Sequence, residues 1–456
     1  MAAPAYHPSA SASASADADL RAFAVARQRI TLCMIVRNEA PRLARCLTSA
    51  LPWVHEALVV DTGSTDGTAA LAQALGARVI HFAWCADFAK ARNHAVENAR
   101  TPWALVLDAD EVLVVDDADA WSRAVSQEQT AAFSVDCHDK LDDGGVAVGP
   151  ILRLFRRDLP GMRYQGEVHE QITAVAERRY NTAHARFLHI DHDGHTGAIM
   201  REHGTVERNL TLARAMVASR SNDPFAWFCL GQALEAAQSA PVRVIEVYEK
   251  ALTLFLKDVA ATNRDESYLA ALWINLTRAV MRTGDRNKAD QLSARAVAEF
   301  PTAPDLRFLR GRLLLEDGRA AAAVGEFEAC LTPAARSFFI RQDPGATSYA
   351  AETQLGICYL RMGQLPASEE SLRRAMASAP DHYLLPRLML GMLLMTRAAP
   401  VEAEKILRVA VNNRPDNADA RLQWARALLS LQRRQEAEAA LEPLRTDVRA
   451  AQLLAT

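Results

Sequence analysis

The sequence predicts an α/β domain followed by an all-α repeat domain, and two patterns lead to that prediction. Between residues 30 and 107, short apolar stretches rich in β-branched residues alternate with helical patterns, which is typical of a parallel sheet flanked by helices. From about residue 200 onward the patterns are helical only, and small residues recur at intervals close to 34 residues. A repeat of that length indicates pairs of helices that stack. With 456 residues, the chain is long enough for two or three domains with separate cores.

We expect four segments along the chain. Residues 1–29 begin with an Ala/Ser-rich stretch that has little to bury, which predicts a disordered tail. Residues 30–200 are the predicted α/β domain, residues 201–222 a linker helix, and residues 223–456 the repeat domain.

Each of the first four predicted strands ends in a polar loop. The strands are 30–36, 57–61, 78–82 and 103–107. Helices are predicted after the first three of them, from Pro41 to Leu51, from Thr68 to Leu75 and from Phe88 to Arg100. In an open α/β sheet ligands bind outside the carboxyl ends of the strands, so these loops should share one binding edge.

The fourth strand runs into three carboxylates, Asp108, Asp110 and Glu111, within TPWALVLDADEV. Two Asp side chains one residue apart can offer oxygen ligands to one hard cation such as Mg²⁺ or Mn²⁺. A phosphate-handling site fits this pattern in outline, although acidic triplets of this kind also occur in solvated turns.

The loop DTGSTDGT follows the second strand and holds Asp61, Ser64 and Asp66. Its glycines allow tight turning, and its polar side chains either cap the next helix or bind a ligand. Asp61 stands at the strand end, where its carboxylate can accept hydrogen bonds from a base or ribose. The loop lacks the Lys of a Walker-type phosphate loop, and no GxGxxG follows the first strand.

Four motifs follow one another between residue 30 and about residue 115: MIVRNE, VVDTGSTDGT, WCADFAKARNHA and TPWALVLDADEVL. In this order and spacing they closely resemble family 2 glycosyltransferases of the GT-A fold, in the bacterial subgroup whose DxD is followed by Glu. The resemblance implies a nucleotide-sugar donor and a divalent cation, Mn²⁺ or Mg²⁺. A UDP-sugar is the donor that the resemblance favours.

The same resemblance implies roles for several residues. It places Asp61 on the base, and it places the loop Arg37–Glu39 near the nucleotide, with Arg37, Asn38 and Glu39 as donor-binding residues together with Ser64 and Asp66. Asp108 and Asp110 would lie at the ribose and at a cation bound to the diphosphate. Arg92 would face the nucleotide or diphosphate, unless it is only an exposed helix cation.

After residue 115 the pattern weakens to a short helix and several strands, where the resemblance implies the acceptor half. The pair His169-Glu170 in GEVHEQI matches a recurring feature of the subgroup. An inverting transfer needs a base that takes the proton of the acceptor, and Glu170 is our candidate. His169 would complete the metal shell or contact the diphosphate.

The segment HARFLHIDHDGH is unusually rich in potential metal ligands. It contains His184, His189, His192 and His195 together with Asp191 and Asp193. A zinc site is one interpretation. We favour another, in which RFLHI is an edge strand and DHDGH resembles the loop that closes the transferase core, with His192 at the diphosphate.

The helical part resembles tetratricopeptide repeats. In aligned segments, small residues occupy one register, namely Gly231, Thr277, Gly311, Gly356, Gly391 and Ala425. Such repeats stack into a curved solenoid with a concave binding surface, because no single repeat buries its apolar face. The surface would hold a protein or peptide, or it would serve oligomerisation or scaffolding.

Composition excludes several classes of partner. The formal net charge of −3 gives no support for nucleic-acid binding. No apolar run approaches the roughly 18 residues of a membrane span, and the first residues lack a basic region followed by an apolar core. Seven cysteines, mostly in apolar settings, fit reduced thiols. We therefore predict a cytoplasmic protein.

The motifs together predict an inverting, metal-dependent glycosyltransferase that moves a hexose or N-acetylhexosamine to an acceptor, which the repeats would recruit if it is a protein or peptide. One alternative is a repeat scaffold with a degenerate transferase domain. Another is a transferase that acts on a lipid-linked or polysaccharide acceptor.

Overall fold

A computed structural model describes residues 28–127, 129–140, 146–176, 179–193, 204–257, 266–336 and 343–455. Contacts group the chain into two units, of which the first extends to Leu272 and the second begins at Trp273. The predicted disordered tail lies outside the described residues except for its last two positions, and so does His195.

One mixed sheet of eight strands organises the first unit. Its strands, named in chain order, are β1 Ile30–Val36, β2 Glu56–Asp61, β3 Arg78–His81, β4 Trp103–Val106, β5 Glu111–Val115, β6 Ala132–Lys140, β7 Val146–Arg156 and β10 Thr182–His192. The spatial order is β3-β2-β1-β4-β7-β6-β10-β5. Strands β1 to β4 are parallel, and their predicted bounds hold to within one residue. A separate two-stranded ribbon pairs β8 Tyr164–Gln165 with β9 Gln171–Ile172.

Helices cover both faces of the sheet. On one face lie α1 Ala40–Ala50, α2 Thr68–Ala74 and α4 Ala118–Ser126, whose apolar side chains share a core with the buried Trp103. On the other face lies α3 Phe88–Asn98, which packs against Phe155. A four-residue helix, α5 Thr173–Ala176, follows β9. The predicted helices after the first three strands are present at the expected places, with ends shifted by one or two residues.

The sheet curves. In hydrogen-bonding order β5 lies four strands from β4, which is about 19 Å in a flat sheet at about 4.8 Å per strand. Five residue steps separate Val106 from Glu111, and they reach about 17 Å at most. The turn between them is therefore short enough to require that the sheet bends, and the acidic residues lie in this turn.

Two sequence predictions fail at the far edge of the sheet. The prediction that RFLHI forms an edge strand is wrong, because these residues belong to β10, which is hydrogen-bonded on both sides, to β6 and to β5. Strand β5 was not predicted at all. Its residues follow directly on the acidic triplet, and they become a strand by pairing with β10, which is about 75 residues away in the sequence.

The rest of the described chain is helical. The longer helices are α6 Thr205–Ser219, α7 Pro224–Ala236, α8 Pro241–Lys257, α9 Glu266–Thr283, α10 Arg286–Glu299, α11 Pro304–Glu316, α12 Ala320–Cys330, α14 Tyr349–Arg361, α15 Leu365–Ser378, α16 Leu385–Thr396, α17 Pro400–Asn413, α18 Ala418–Ser430 and α19 Arg434–Leu441. The short helices are α13 Pro333–Arg336 and α20 Val448–Leu454. The predicted fold class, an α/β domain followed by an all-α repeat region, is confirmed.

Glycines mark the close approach of paired helices. In the second unit, a Cβ placed on Gly356 of α14 would stand 2.6 Å from Leu372 of α15, and one on Gly391 of α16 would stand 2.6 Å from Leu407 of α17. The partner lies 16 residues further along the chain in both cases. The small residues that revealed the repeat therefore sit where two helices of a pair cross.

All seven cysteines are free thiols, six of them buried. Within the described residues, no helix combines the length and the apolarity needed to cross a membrane.

Candidate active site

The turn between β4 and β5 holds the acidic residues in a fixed conformation. The backbone N–H of Asp108 donates to Oε2 of Glu111 at 2.8 Å, and Glu111 is only 1% exposed. Burial raises the pKa of Glu111. Of the three predicted carboxylates, Glu111 thus closes the turn, whereas Asp108 and Asp110 face a cavity.

Two buried arginines hold Asp108. Nη2 of Arg92 donates to Oδ1 of Asp108 at 2.9 Å, and Nη2 of Arg153 donates to Oδ2 at 3.1 Å. Arg153 also forms an ion pair with Glu111. Burial alone would raise the pKa of Asp108, but the two guanidinium groups outweigh it and hold that pKa far below its usual range. Asp108 is therefore ionised at any physiological pH.

Arg153 was missed in the sequence. It lies in β7, within ILRLFRR, between apolar residues that are themselves buried. A cation in a buried strand requires a carboxylate partner, and this was the available signal. The partners of Arg153 come from β4 and β5, so the sequence gave no indication of which carboxylates they are.

Arg92 connects Asp108 to Glu170. Its Nε donates to the Glu170 carboxylate while Nη2 binds Asp108, and the residue is 7% exposed. Among the described residues, Nη1 of Arg92 has no hydrogen-bond acceptor, although it is buried. Arg92 is thus a buried cation of the site, not an exposed helix cation, and it has one donor to spare for a ligand.

His192 stands beside Asp110. Its Nε2 lies 3.5 Å from Oδ2 of Asp110, and its Nδ1 lies 2.5 Å from Oδ1 of Asp139. Burial acts to lower the pKa of His192, but hydrogen bonds with Asp110 and Asp139 outweigh it and raise that pKa far above its usual range. The imidazole is therefore a cation at neutral pH, held at the same side of the cavity as Asp110.

The two loops on the nucleotide side are bonded to each other. Asn38 donates its backbone N–H to Oγ of Ser64 at 3.0 Å, and its own Oδ1 accepts from the backbone N–H of Thr65 at 2.8 Å. Oδ2 of Asp66 accepts from the backbone N–H of Ala40 at 3.1 Å. Asn38, Ser64 and Asp66 thus spend polar atoms on holding the loops in place.

Asp61 ends β2 as predicted and is 4% exposed. Its Oδ1 accepts from the backbone N–H of Ser64 at 3.0 Å, and its Oδ2 lies 3.3 Å from Nδ1 of the exposed His81. The carboxylate therefore organises the DTGSTDGT loop from the end of the strand.

A cavity of about 500 Å³ brings the predicted residues together. Seven of them line it, namely Arg37, Glu39, Arg92, Asp108, Asp110, His169 and His192. Five others lie behind this first layer or in the bonded loops, namely Asn38, Asp61, Ser64, Asp66 and Glu170. Burial, reinforced by the negative charge of Asp110, raises the pKa of Glu39 to about 7.

Helices α6 and α7 form another part of the cavity wall, which the sequence did not predict. Thr205, Arg208 and Asn209 of α6 line the cavity together with Gln232 of α7. The guanidinium of Arg208 lies 5.1 Å above the ring of Phe88, and burial lowers its pKa. A segment predicted as a linker thus contributes a cation that faces the acidic residues.

Comparison with known proteins agrees with the sheet and the acidic turn. Residues 31–145 match the family model described as Glycosyl transferase family 2. A curated relative, the TPR repeat-containing protein Synpcc7942_0270 of Synechococcus elongatus, is 36% identical over 216 residues, which are 45% of this chain and 52% of that protein. The chain therefore spans about half the length of this relative. Glycosyltransferase SunS of Bacillus phage SPbeta is 24% identical over 298 residues, or 63% of this chain and 67% of its own.

Among solved structures, a tetratricopeptide repeat protein from Parabacteroides merdae matches with a TM-score of 0.41 and 12% identity, over 56% of this chain and 93% of that one. The family match covers the strands and loops that build the cavity, and the helix pairs follow it in the chain. Residues 31–145 are thus a family 2 glycosyltransferase domain, and the chain joins this domain to a region of tetratricopeptide-type helical repeats.

Proposed function

We propose that the chain is an inverting, metal-dependent glycosyltransferase that moves a hexose or N-acetylhexosamine from a nucleotide-diphosphate sugar, in the first instance a UDP-sugar, to an acceptor. Arg92 supports this proposal most directly. It is a buried cation on the cavity wall with a free N–H donor at Nη1, and it lies next to the carboxylates of the acidic turn. An anionic oxygen is the ligand that such a donor binds best.

The cavity carries more positive charge than Arg92 alone. Arg208 faces it from α6, and His192 is protonated beside Asp110. Cations placed around a leaving diphosphate stabilise the charge that develops on it during transfer. We assign the diphosphate to the space between Arg92, Arg208 and His192, with His169 as a further contact.

The residues also fit a hard divalent cation. Both carboxylate oxygens of Asp108 are bonded to arginines, so Asp110 is the carboxylate with room for a metal. Mg²⁺ and Mn²⁺ bind through one or two carboxylates and complete their shell with phosphate oxygens and water. When bound, the cation would neutralise charge on the departing diphosphate. The rise in the pKa of Glu39 records the surplus of negative charge in this part of the site.

The loop pair at Arg37–Glu39 and DTGSTDGT would hold the nucleoside, with Asp61 at the base. Because Asn38, Ser64 and Asp66 bond the loops to each other, we assign these three to positioning the nucleoside pocket. Arg37 and Glu39, which line the cavity, would make the direct contacts.

Glu170 remains our candidate base for the acceptor. Its carboxylate is 12% exposed and ion-paired with Arg92. As a base it would accept the proton of the acceptor hydroxyl or thiol while the acceptor atom attacks the anomeric carbon and the nucleoside diphosphate leaves with the bonding electrons. Arg92 would hold Glu170 and the diphosphate on opposite sides of the sugar, as in-line displacement requires.

The test is donor binding and slow donor hydrolysis by the full chain, measured by calorimetry and product chromatography with UDP-glucose, UDP-N-acetylglucosamine and GDP-mannose, each with and without Mn²⁺. We expect one donor to bind with metal, and binding to fall at least tenfold in Asp110→Asn. Asp158→Asn is the matched control, since Asp158 is an exposed carboxylate paired with Arg156.

If no donor binds with any metal, the proposal fails, and the helical repeats acting as a scaffold become the function to pursue. If a donor binds, the acceptor is sought by comparing transfer to protein, lipid-linked and polysaccharide fractions. Transfer to protein that depends on the repeats would support recruitment by them, and transfer to another fraction would overturn it.

A further inference from the structure

A second cluster of ligand-type side chains lies on the outer strands of the sheet. His138 of β6, His189 of β10 and Asp191 of β10 each present one ligand atom, and the three atoms lie within 4.8 Å of one another. Register explains the meeting, because Asp191 pairs with His138 across the two strands, and His189 is two residues from Asp191 on the same face. None of the three lines the cavity described above.

The distances suit one small metal ion. Oδ1 of Asp191 lies 3.5 Å from Nδ1 of His138 and 3.8 Å from Nε2 of His189. Two atoms bound at about 2.0–2.1 Å to a tetrahedral Zn²⁺ stand about 3.3 Å apart. The imidazoles are stacked with centroids 4.5 Å apart. A turn of one ring about its soft terminal torsion would point both nitrogen lone pairs at the same ion.

Asp116 provides the support that metal-binding histidines usually have. Its Oδ2 lies 2.9 Å from Nδ1 of His189, on the side of the ring opposite to Asp191. This bond fixes the proton on Nδ1 and leaves Nε2 as the nitrogen available to a metal. The backbone N–H of Asp116 donates to the carbonyl of Phe187 at 2.8 Å, so the supporting carboxylate is itself held in place.

We propose that His138, His189 and Asp191 bind a borderline divalent transition-metal ion, Zn²⁺ in the first instance, with Asp116 orienting His189 and water filling the remaining position. The donor set of two imidazoles and one carboxylate favours such an ion over Mg²⁺. The side chains are 24 to 42% exposed, which leaves an entry path and space for water. The ion would connect β6 to β10 directly next to His192, and thus stabilise the edge of the sheet that supports the proposed donor site.

Calorimetric titration of ZnCl₂ into the metal-stripped full chain, in excess Mg²⁺ to occupy the acidic turn, tests the proposal. We expect one Zn²⁺ per chain, and an affinity that falls at least tenfold in His138→Gln and in His189→Gln. Asp116→Asn should weaken binding about 10- to 100-fold, as the loss of a supporting carboxylate does. The matched control is His184→Gln, which changes a histidine of the same strand that is bonded to Ser134 instead.

Two readouts separate this site from its neighbours. Co²⁺ bound here should show tetrahedral absorption bands without thiolate charge transfer, whereas a thiolate band would place the ion at Glu111, Cys137 and His192, which also lie within ligand distance of one another. Zn²⁺ should raise the Tm of the wild type and of His184→Gln, but not of His189→Gln. The proposal is overturned if Zn²⁺ fails to bind, or if it binds equally to the glutamine variants while their circular dichroism shows a folded chain.

Discussion

Arg92 reaches both oxygens of Asp108, at 2.9 and 3.2 Å from its Nη2, while its Nε binds the carboxylate of Glu170. One guanidinium thereby connects the acidic turn after β4 to the residue proposed as the base. A lysine at this position has one ammonium group and cannot serve two carboxylates in a fixed plane. The chemistry of the site thus depends on the fork geometry of one side chain.

Arg92→Lys should weaken metal-dependent donor binding about 10- to 100-fold, because charge-assisted hydrogen bonds contribute about 1.5–3 kcal/mol each. The measurement is calorimetric titration with UDP in the presence of Mn²⁺. Arg78→Lys is the matched control, since Arg78 binds Glu56 through Nε at 3.2 Å and Nη2 at 3.3 Å, away from the cavity. Equal losses in the two variants would contradict the role of Arg92.

Arg153→Met should lower the free energy of unfolding by about 3–5 kcal/mol, because it leaves Glu111 as a buried charge with its cationic partner removed. Urea denaturation measures this loss. The double variant Arg153→Met/Glu111→Gln should recover part of the stability, since it removes the unpaired charge and keeps an acceptor for the N–H of Asp108. A double variant less stable than the single one would show that packing, not charge, dominates at Arg153.

Glu39 should make stability fall as pH rises through neutrality. Its pKa is raised to about 7 in the folded chain from a usual value of 4.5, so the folded state keeps a proton that the unfolded state has lost. Its contribution is complete below pH 4.5 and disappears as the pH passes 7. Between pH 5 and pH 8 in EDTA, the wild type should lose about 1–3 kcal/mol of unfolding free energy more than Glu39→Gln does. Parallel stability curves for the two proteins would refute this assignment.

Glycines of the repeats should divide into two classes. Gly356→Ala should cost about 1–3 kcal/mol, because its new Cβ would stand 2.6 Å from Leu372 and the two helices would have to separate. Gly325→Ala is the control, because a Cβ there meets no atom within 4 Å and the residue lies inside α12. It should gain about 0.5–1 kcal/mol from helix propensity. Thermal unfolding of both variants decides the matter, and a stabilised Gly356→Ala would mean that the helices of this pair are not in close contact.

Local patterns predicted what local structure determines. Strands β1 to β4, their helices and the turn with Asp108 and Asp110 lie in a continuous stretch, where each strand pairs with a near neighbour along the chain. The features that escaped prediction all depend on distant pairing. Strand β5 exists because of β10, Arg153 finds its partners across the curved sheet, and Arg208 reaches the cavity from a helix more than 90 residues after the acidic turn. His138 escaped for the same reason, since its partners lie about 50 residues further on.

The turn at residues 107–110 also constrains how the transferase domain can move. Val106 and Glu111 are the last and first residues of strands at distant positions in the sheet, and the chain between them has almost no slack. Opening of the domain to admit a donor must therefore take place elsewhere, in segments with longer reach, while Asp108 and Asp110 stay fixed. A spin label or fluorophore pair that spans this turn should report the same distance before and after the donor binds.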